Sequence, residues 1–177
     1  WKKLERKEIE KSVLLFRRFE IFCEKYGYVC DAKEMAREYT LALAEYSYMF
    51  DGAMQMCQKL ASHFDMYIVT NGFEYTQTKR YAESGIDKYF KGIFISGVLG
   101  HEKPSREYFR CVEQKITNFD KQRAIIIGDS LSSDIRGGIN YGIDTCWYNP
   151  DLKPVPDGMK ITHVANDFDS IYKFITG

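Results

Sequence analysis

Residues 124–138 read AIIIGDSLSSDIRGG, and this stretch indicates how the chain folds. Its apolar start, residues 124–127, is typical of a short strand that is buried on both faces, as in a parallel sheet. The apolar run ends at Gly128, and Asp129 follows it directly. A turn of small residues then leads to Asp134, at the start of a predicted helix. Because ligands of parallel α/β sheets bind beyond the carboxyl ends of the strands, the pattern places a carboxylate at a predicted ligand site.

Predicted strands and helices alternate through most of the chain. The predicted strands cover residues 66–69, 92–96, 124–127, 144–148 and 163–165. The predicted helices cover residues 2–26, 31–48, 52–62, 73–84, 133–140 and 168–175, with one more that opens at Lys103-Pro104. The alternation predicts an α/β fold with a mostly parallel, Rossmann-like sheet over residues 50–177, and the two leading helices predict a separate helical module over residues 1–49.

Composition and charge argue against several classes of function. The 177 residues include 25 basic and 25 acidic side chains, and this zero net charge does not favour nucleic acid or an anionic membrane as a partner. No apolar run approaches the roughly 18 residues of a membrane-spanning helix. The widely spaced cysteines, without a C-x-x-C pair, predict reduced thiols in a cytoplasmic protein. They are Cys23, Cys30, Cys57, Cys111 and Cys146.

Polar residues that suit a phosphate monoester follow the predicted strands. The ends of parallel strands lie at one edge of a sheet, so residues 70–72, 103–104 and 128–129 are expected to meet there. The hydroxyl of Thr70 and the backbone N–H groups that follow it can bind phosphoryl oxygens at a helix N-terminus. Lys103 supplies a compact positive charge against the phosphate dianion. We therefore predict a phosphate site at this edge.

Two carboxylates in the same region predict a magnesium site. Asp129 and Asp134 offer the oxygen ligands that Mg²⁺ prefers. Most of these residues also have an ordinary structural explanation: Thr70 can simply end a strand, Lys103 can be a solvent lysine, and Asp134 can complement a helix dipole, worth about 0.3–1 kcal/mol. Asp129 is harder to explain in this way, because a carboxylate at the end of a buried strand is costly unless a cation or hydrogen bonds compensate it.

Taken together, these segments resemble the haloacid dehalogenase (HAD) superfamily, in the branch with a helical cap. The sequence Thr70-Asn71-Gly72 is similar to its second motif, Lys103-Pro104 to its third, and Gly128-Asp129-Ser130 with Asp134 to its fourth. The resemblance runs from residue 50 to the C-terminus, and residues 1–49 resemble the latter part of the cap. The segments TNGF, GGINYG and TCWYN look most like bacterial pyrimidine 5′-nucleotidase-like phosphatases.

The resemblance implies a mechanism and a role for each residue. In the family an aspartate nucleophile attacks phosphorus and forms an aspartyl-phosphate, and a second aspartate protonates the leaving group and then activates water. By this resemblance Thr70, Asn71 and Gly72 bind phosphate, and Lys103 anchors both the nucleophile and the phosphate. Asp129 is implied as a ligand of Mg²⁺. The implied role of Asp134 is to support that metal site, directly or through water.

The chain departs from the family pattern at the first motif. No D-x-D-x-[TV] follows an apolar strand, and Asp167-Phe168-Asp169 is rejected because a helix follows it. The chain also begins at Trp1, without an initiator Met. Family topology places the strand of the first motif at the centre of the sheet, between those that end at Thr70 and at Asp129. We therefore expect roughly 40–60 further N-terminal residues in the natural protein, and this chain alone to be inactive.

The predicted function is hydrolysis of a small phosphate monoester, which includes the nucleoside 5′-monophosphates, with Mg²⁺. A small phosphorylated metabolite or nucleotide is therefore the expected partner. A haloacid dehalogenase would share the fold and the nucleophile but needs no metal. A phosphoglycolate or phosphosugar enzyme of the family would share all three motifs. The alternative outside catalysis is a degenerate member that binds a partner, and the oligomeric state stays open.

Overall fold

Five short parallel strands carry the fold in the computed structural model, which describes residues 8–177. Each lies within one residue of its predicted position, so the predicted strands are confirmed. The strands are β1, Tyr67–Thr70; β2, Gly92–Ile95; β3, Ile125–Gly128; β4, Asp144–Tyr148; and β5, His163–Ala165. The α/β architecture with parallel pairing is therefore confirmed.

Helices precede the sheet and fill the crossovers between its strands. They are α1, Lys11–Tyr26; α2, Ala32–Glu45; α3, Ala53–Ala61; α4, Glu74–Glu83; α5, Ser96–Leu99; α6, Arg106–Lys115; α7, Arg136–Tyr141; and α8, Phe168–Thr176. The helix predicted over residues 2–26 is found from Lys11, and its residues 2–7 lie outside the described range. A π-helical turn, Leu131–Ile135, precedes α7 where one continuous helix was predicted. In the described part of the chain no helix is both long and apolar enough to cross a membrane.

The two leading helices are bounded by the residues that the sequence indicated. Gly27 ends α1 in the left-handed region at φ 70°, and its backbone N–H bonds to the carbonyl of Cys23. Asp31 begins α2, because its carboxylate accepts hydrogen bonds from the N–H groups of Lys33 and Glu34. The helix then ends at Glu45, three residues before the predicted boundary at residue 48.

The prediction of reduced cysteines is wrong for one pair. Cys23 and Cys30 form a disulfide, whereas Cys57, Cys111 and Cys146 are free thiols. The reason is the turn after α1: beyond Gly27, the N–H of Tyr28 also bonds to the carbonyl of Cys23, at 2.9 Å. This turn folds the chain back, so two cysteines seven residues apart in sequence come within bonding distance.

The sheet is divided into two groups of strands. Strand β1 pairs with β2 in one group, and β3, β4 and β5 pair in that order in the other. Among the described residues β1 does not pair with β3, and no other strand lies between them to join the two groups. This division is the arrangement predicted for a sheet without its central strand. Both groups nevertheless contact one side chain, Lys103, which bonds to Val69 on β1 and to Asp134 just after β3.

The core lies where α6 and α7 cover the strands. One buried cluster joins these helices to β3, and a second cluster lies under α8. The first consists of Tyr108, Phe109, Val112, Ile126 and Tyr141. Helix α7 approaches the sheet so closely that a Cβ on Gly138 would lie 2.6 Å from methyl carbons of both Ile126 and Thr145. A glycine is therefore required at this contact between helix and sheet.

We expect Gly138→Ala to lower the free energy of unfolding by about 1–3 kcal/mol, because an added methyl group would overpack the contact between α7 and the sheet. Urea unfolding measures the change. Gly97→Ala is the matched control, since a Cβ at this exposed glycine would meet no atom within 4 Å. The control should change stability by less than about 1 kcal/mol. Equal effects of the two substitutions would show that the close approach at Gly138 is unimportant.

Candidate active site

Lys103 is the centre of the candidate site. The residue is only 6% exposed, and its ammonium group donates to the carbonyl oxygen of Val69 at 2.7 Å and to the Oδ1 atom of Asp134 at 2.6 Å. An ammonium group has three N–H donors, so one of them has no partner among the described residues. The interpretation of Lys103 as a solvent lysine is therefore wrong, and its remaining donor is available to a ligand.

The carboxylate of Asp134 is fixed by hydrogen bonds to both of its oxygens. Its Oδ1 atom accepts from Lys103, and its Oδ2 atom accepts from the backbone N–H of Ser130 at 3.2 Å. The carboxylate lies directly against Gly128, where a Cβ would come within 2.4 Å of Oδ2. Asp134 is 8% exposed, and its ion pair with Lys103 is therefore buried. A glycine before Asp129 thus leaves the space that this pair occupies.

Thr70 ends β1 with a hydroxyl that can still donate. Its Oγ atom accepts from the backbone N–H of Gly72 at 3.0 Å, which closes a small turn before α4. A hydroxyl can accept and donate at once, and the proton of this one has no partner among the described residues. The turn therefore presents an O–H donor at the end of the strand, as phosphate binding requires.

Asn71 ties the two loops together. Its side-chain oxygen accepts from the backbone N–H of Lys103 at 2.9 Å, and its amide nitrogen donates to the carbonyl oxygen of Lys103 at 2.8 Å. This pairing, next to the cis peptide bond between Lys103 and Pro104, fixes the lysine backbone against the loop after β1. The two loops are therefore joined by a pair of hydrogen bonds, and phosphate binding by Asn71 stays a prediction.

Asp129 differs from Asp134 in its surroundings. Its side chain is exposed, with no hydrogen bond to it in the described part of the chain, whereas its carbonyl oxygen accepts from the indole N–H of Trp147 at 3.0 Å. Trp147 is 2% exposed on the neighbouring strand β4, so the backbone of Asp129 is held while its carboxylate stays available. The expectation that Asp129 needs compensation because it is buried does not hold, since the carboxylate faces solvent.

The carboxylates fit Mg²⁺ only in part. Within residues 8–177 no three His, Cys, Asp or Glu side chains converge as a metal site. Asp129 offers an unengaged carboxylate, which suits an ion that keeps several waters and binds through one or two carboxylates. Both oxygens of Asp134 are already engaged by Lys103 and Ser130. Asp129 is therefore the residue that would hold the ion, and a direct contact from Asp134 stays a prediction.

Two buried aromatic residues support the site and were not among the predicted site residues. Trp147 holds Asp129, and the hydroxyl of Tyr108 accepts from the backbone N–H of Thr70 at 3.1 Å. Trp147 falls within the TCWYN segment, but its indole hydrogen bond depends on tertiary contacts. The helical pattern of residues 106–115 indicates that Tyr108 faces the core, and no local signal identifies the partner of its hydroxyl.

Comparison with known proteins gives consistent matches. A model of the haloacid dehalogenase-like hydrolases matches residues 6–142. Bacillus subtilis YfnB, named as a HAD hydrolase, is 37% identical over 175 residues, which are 99% of this chain and 74% of YfnB. The pyrimidine 5′-nucleotidase PynA of Streptococcus pneumoniae is 40% identical over 151 residues, 85% of this chain and 64% of PynA. The crystal structure of YfnB, described as bound to magnesium, superposes with a TM-score of 0.94 over 100% of this chain and 78% of its own.

We expect Lys103→Met to lower the free energy of unfolding by about 3–5 kcal/mol, because it leaves the buried carboxylate of Asp134 without its cation. Thermal or urea unfolding measures the loss. The matched control is Lys153→Met, which breaks an ion pair with Asp151 whose side chains are 65% and 67% exposed. An exposed pair contributes about 0–1 kcal/mol. A loss at Lys103 no larger than that of the control would contradict the buried-pair interpretation.

Proposed function

The chain belongs to the haloacid dehalogenase-like hydrolases, and we propose that it forms the core of a Mg²⁺-dependent phosphatase for small phosphate monoesters. The observation that carries this proposal is the geometry at Lys103. A buried ammonium group, oriented by Val69 and Asp134, keeps one N–H donor beside a strand end that presents the hydroxyl of Thr70. Donors oriented in advance are what a phosphoryl group needs as charge develops on its oxygens.

Binding of the phosphate would use donors from both loops. The O–H of Thr70 and the third N–H of Lys103 would each donate to a phosphoryl oxygen. Asn71 keeps the backbone of Lys103 fixed against the loop of Thr70, so the two donors need no rearrangement when the ligand arrives. Mg²⁺ bound at Asp129 would supply positive charge next to the same phosphate.

The nucleophile of the proposed reaction is outside the described part of the chain. In the mechanism implied by the family, an aspartate oxygen attacks phosphorus, the bond from phosphorus to the ester oxygen breaks, and a second aspartate gives that oxygen a proton. Water then attacks the aspartyl-phosphate and releases inorganic phosphate. We propose that both aspartates lie on a strand between β1 and β3, where Lys103 can contact the nucleophile and the phosphate together.

Nucleoside 5′-monophosphates are the proposed substrates within the class of monoesters. Two relatives support this choice by their names, since both are called pyrimidine 5′-nucleotidases. They are PynA, at 40% identity, and Escherichia coli YjjG, at 28% identity over 89% of this chain and 69% of YjjG. Both matches include all three loops of the site. The discrimination between bases would lie outside these loops, which contact only the phosphate.

The test uses the protein expressed from its complete gene. We expect Asp129→Asn to reduce the Mg²⁺-dependent release of phosphate from uridine 5′-monophosphate about 100-fold or more, because it removes a negatively charged metal ligand. Inorganic phosphate is measured at several Mg²⁺ concentrations, and the half-saturating Mg²⁺ concentration should rise. The matched control, Asp151→Asn, replaces an exposed aspartate that pairs with Lys153. Activity that survives a chelator, or that is equal in the two variants, would rule out the proposed role of Asp129.

A further inference from the structure

We propose that the buried hydroxyl of Tyr108 is the positioning group for the phosphate-binding loop, residues 70–72. The inference rests on the proposed function, in which Thr70 donates to the phosphate. Tyr108 lies in the first turn of α6, five residues after Lys103, so it connects the lysine segment to the end of β1. It does not touch the ligand; it acts through the backbone of Thr70.

The contacts of this hydroxyl have a defined direction. It donates to the carbonyl oxygen of Phe94 on β2 at 2.7 Å and accepts from the backbone N–H of Thr70 at 3.1 Å. A carbonyl can only accept and an amide N–H can only donate, so the single proton of the hydroxyl is used on Phe94. The hydroxyl therefore joins α6 to the adjacent strands β1 and β2 at the site end of the sheet.

The same segment holds β1 at two successive residues. Lys103 binds the carbonyl oxygen of Val69, and Tyr108 binds the N–H of Thr70. The hydroxyl of Thr70 in turn accepts from Gly72. A shift of the Thr70 backbone would move the O–H donor of Thr70 relative to the N–H donor of Lys103. Tyr108 thus sets the spacing between the two groups that would bind the phosphate.

Packing alone does not explain a tyrosine at this position. The ring is 0% exposed and packs edge-on against Phe109 at 5.4 Å, contacts that phenylalanine would keep. A buried hydroxyl is costly unless it is hydrogen-bonded, and this one makes two hydrogen bonds. Burial also raises the pKa of Tyr108 far above its usual range, so the hydroxyl stays protonated and keeps its donor at any physiological pH. What the hydroxyl adds over phenylalanine is the fixed position of Thr70.

The experiment compares Tyr108→Phe with the unmodified protein, both expressed from the complete gene. The dissociation constant of inorganic phosphate is measured by calorimetry, and KM and kcat are measured with uridine 5′-monophosphate. We expect phosphate to bind about tenfold more weakly and KM to rise by a similar factor, with kcat nearly unchanged, because ground state and transition state both use the displaced donor.

Tyr141→Phe is the matched control. Tyr141 belongs to the same buried cluster and also uses its hydroxyl, which donates to Glu113 on the far end of α6. Tyr108→Phe loses the bonds to Phe94 and Thr70, Tyr141→Phe loses the bond to Glu113, and both variants should lose stability. Only Tyr108→Phe should change the affinity for phosphate. Trimethylamine N-oxide, which favours the folded state, permits the same measurement if either variant unfolds too readily.

The experiment distinguishes a failure of the positioning role of Tyr108 from a failure of the proposed phosphatase function. If Tyr108→Phe binds phosphate as tightly as the unmodified protein, or if Tyr141→Phe weakens binding equally, the positioning role of Tyr108 is wrong. If the unmodified protein neither binds inorganic phosphate nor hydrolyses any monoester, the proposed function itself fails, and with it the premise of this inference. A selective loss of affinity in Tyr108→Phe supports both.

Discussion

The buried contact between Lys103 and Asp134 is the interaction on which the rest of the site depends. Burial of an ammonium group is costly unless its donors are matched by acceptors, and Lys103, which is 6% exposed, has two such acceptors at 2.6 and 2.7 Å. Several local features follow from this need. Gly128 leaves space for the carboxylate, Ser130 binds its second oxygen, and Asn71 fixes the lysine backbone. Gly128, Ser130 and Asn71 are separated in the sequence, but all three stabilise the same ion pair.

The strands and their polar ends could be predicted because each depends on residues that are neighbours in sequence. Four apolar residues before Gly128 are enough to indicate β3, and the order of strands and helices then brings residues 70–72 and 103–104 to one edge of the sheet. The helix boundaries at Gly27 and Asp31 were predictable for the same reason. Turn and cap chemistry acts over only a few residues.

The partners of these residues could not be predicted, because they lie far apart in sequence. The sequence around Asp134 would look the same whether the residue complemented a helix dipole, bound a metal or paired with Lys103. Its hydrogen bond to Lys103 is seen only in the three-dimensional structure. The hydroxyl of Tyr108 and the indole of Trp147 look like ordinary core residues in the sequence, yet each bonds to the backbone of a site residue. The disulfide between Cys23 and Cys30 was missed because it depends on the turn at Gly27.

The charge balance of the site explains how two carboxylates are compatible with the proposed binding of a phosphate dianion. Asp134 neutralises Lys103 within a hydrogen-bonded pair, so the pair as a whole attracts a phosphate dianion little. Asp129 adds a further negative charge on the exposed side, which by itself would repel the dianion. A divalent cation held by Asp129, as proposed above, would reverse that sign and supply the positive charge that a phosphate requires. In the proposed site Lys103 would orient the phosphate through its remaining N–H, and the cation would supply the net attraction.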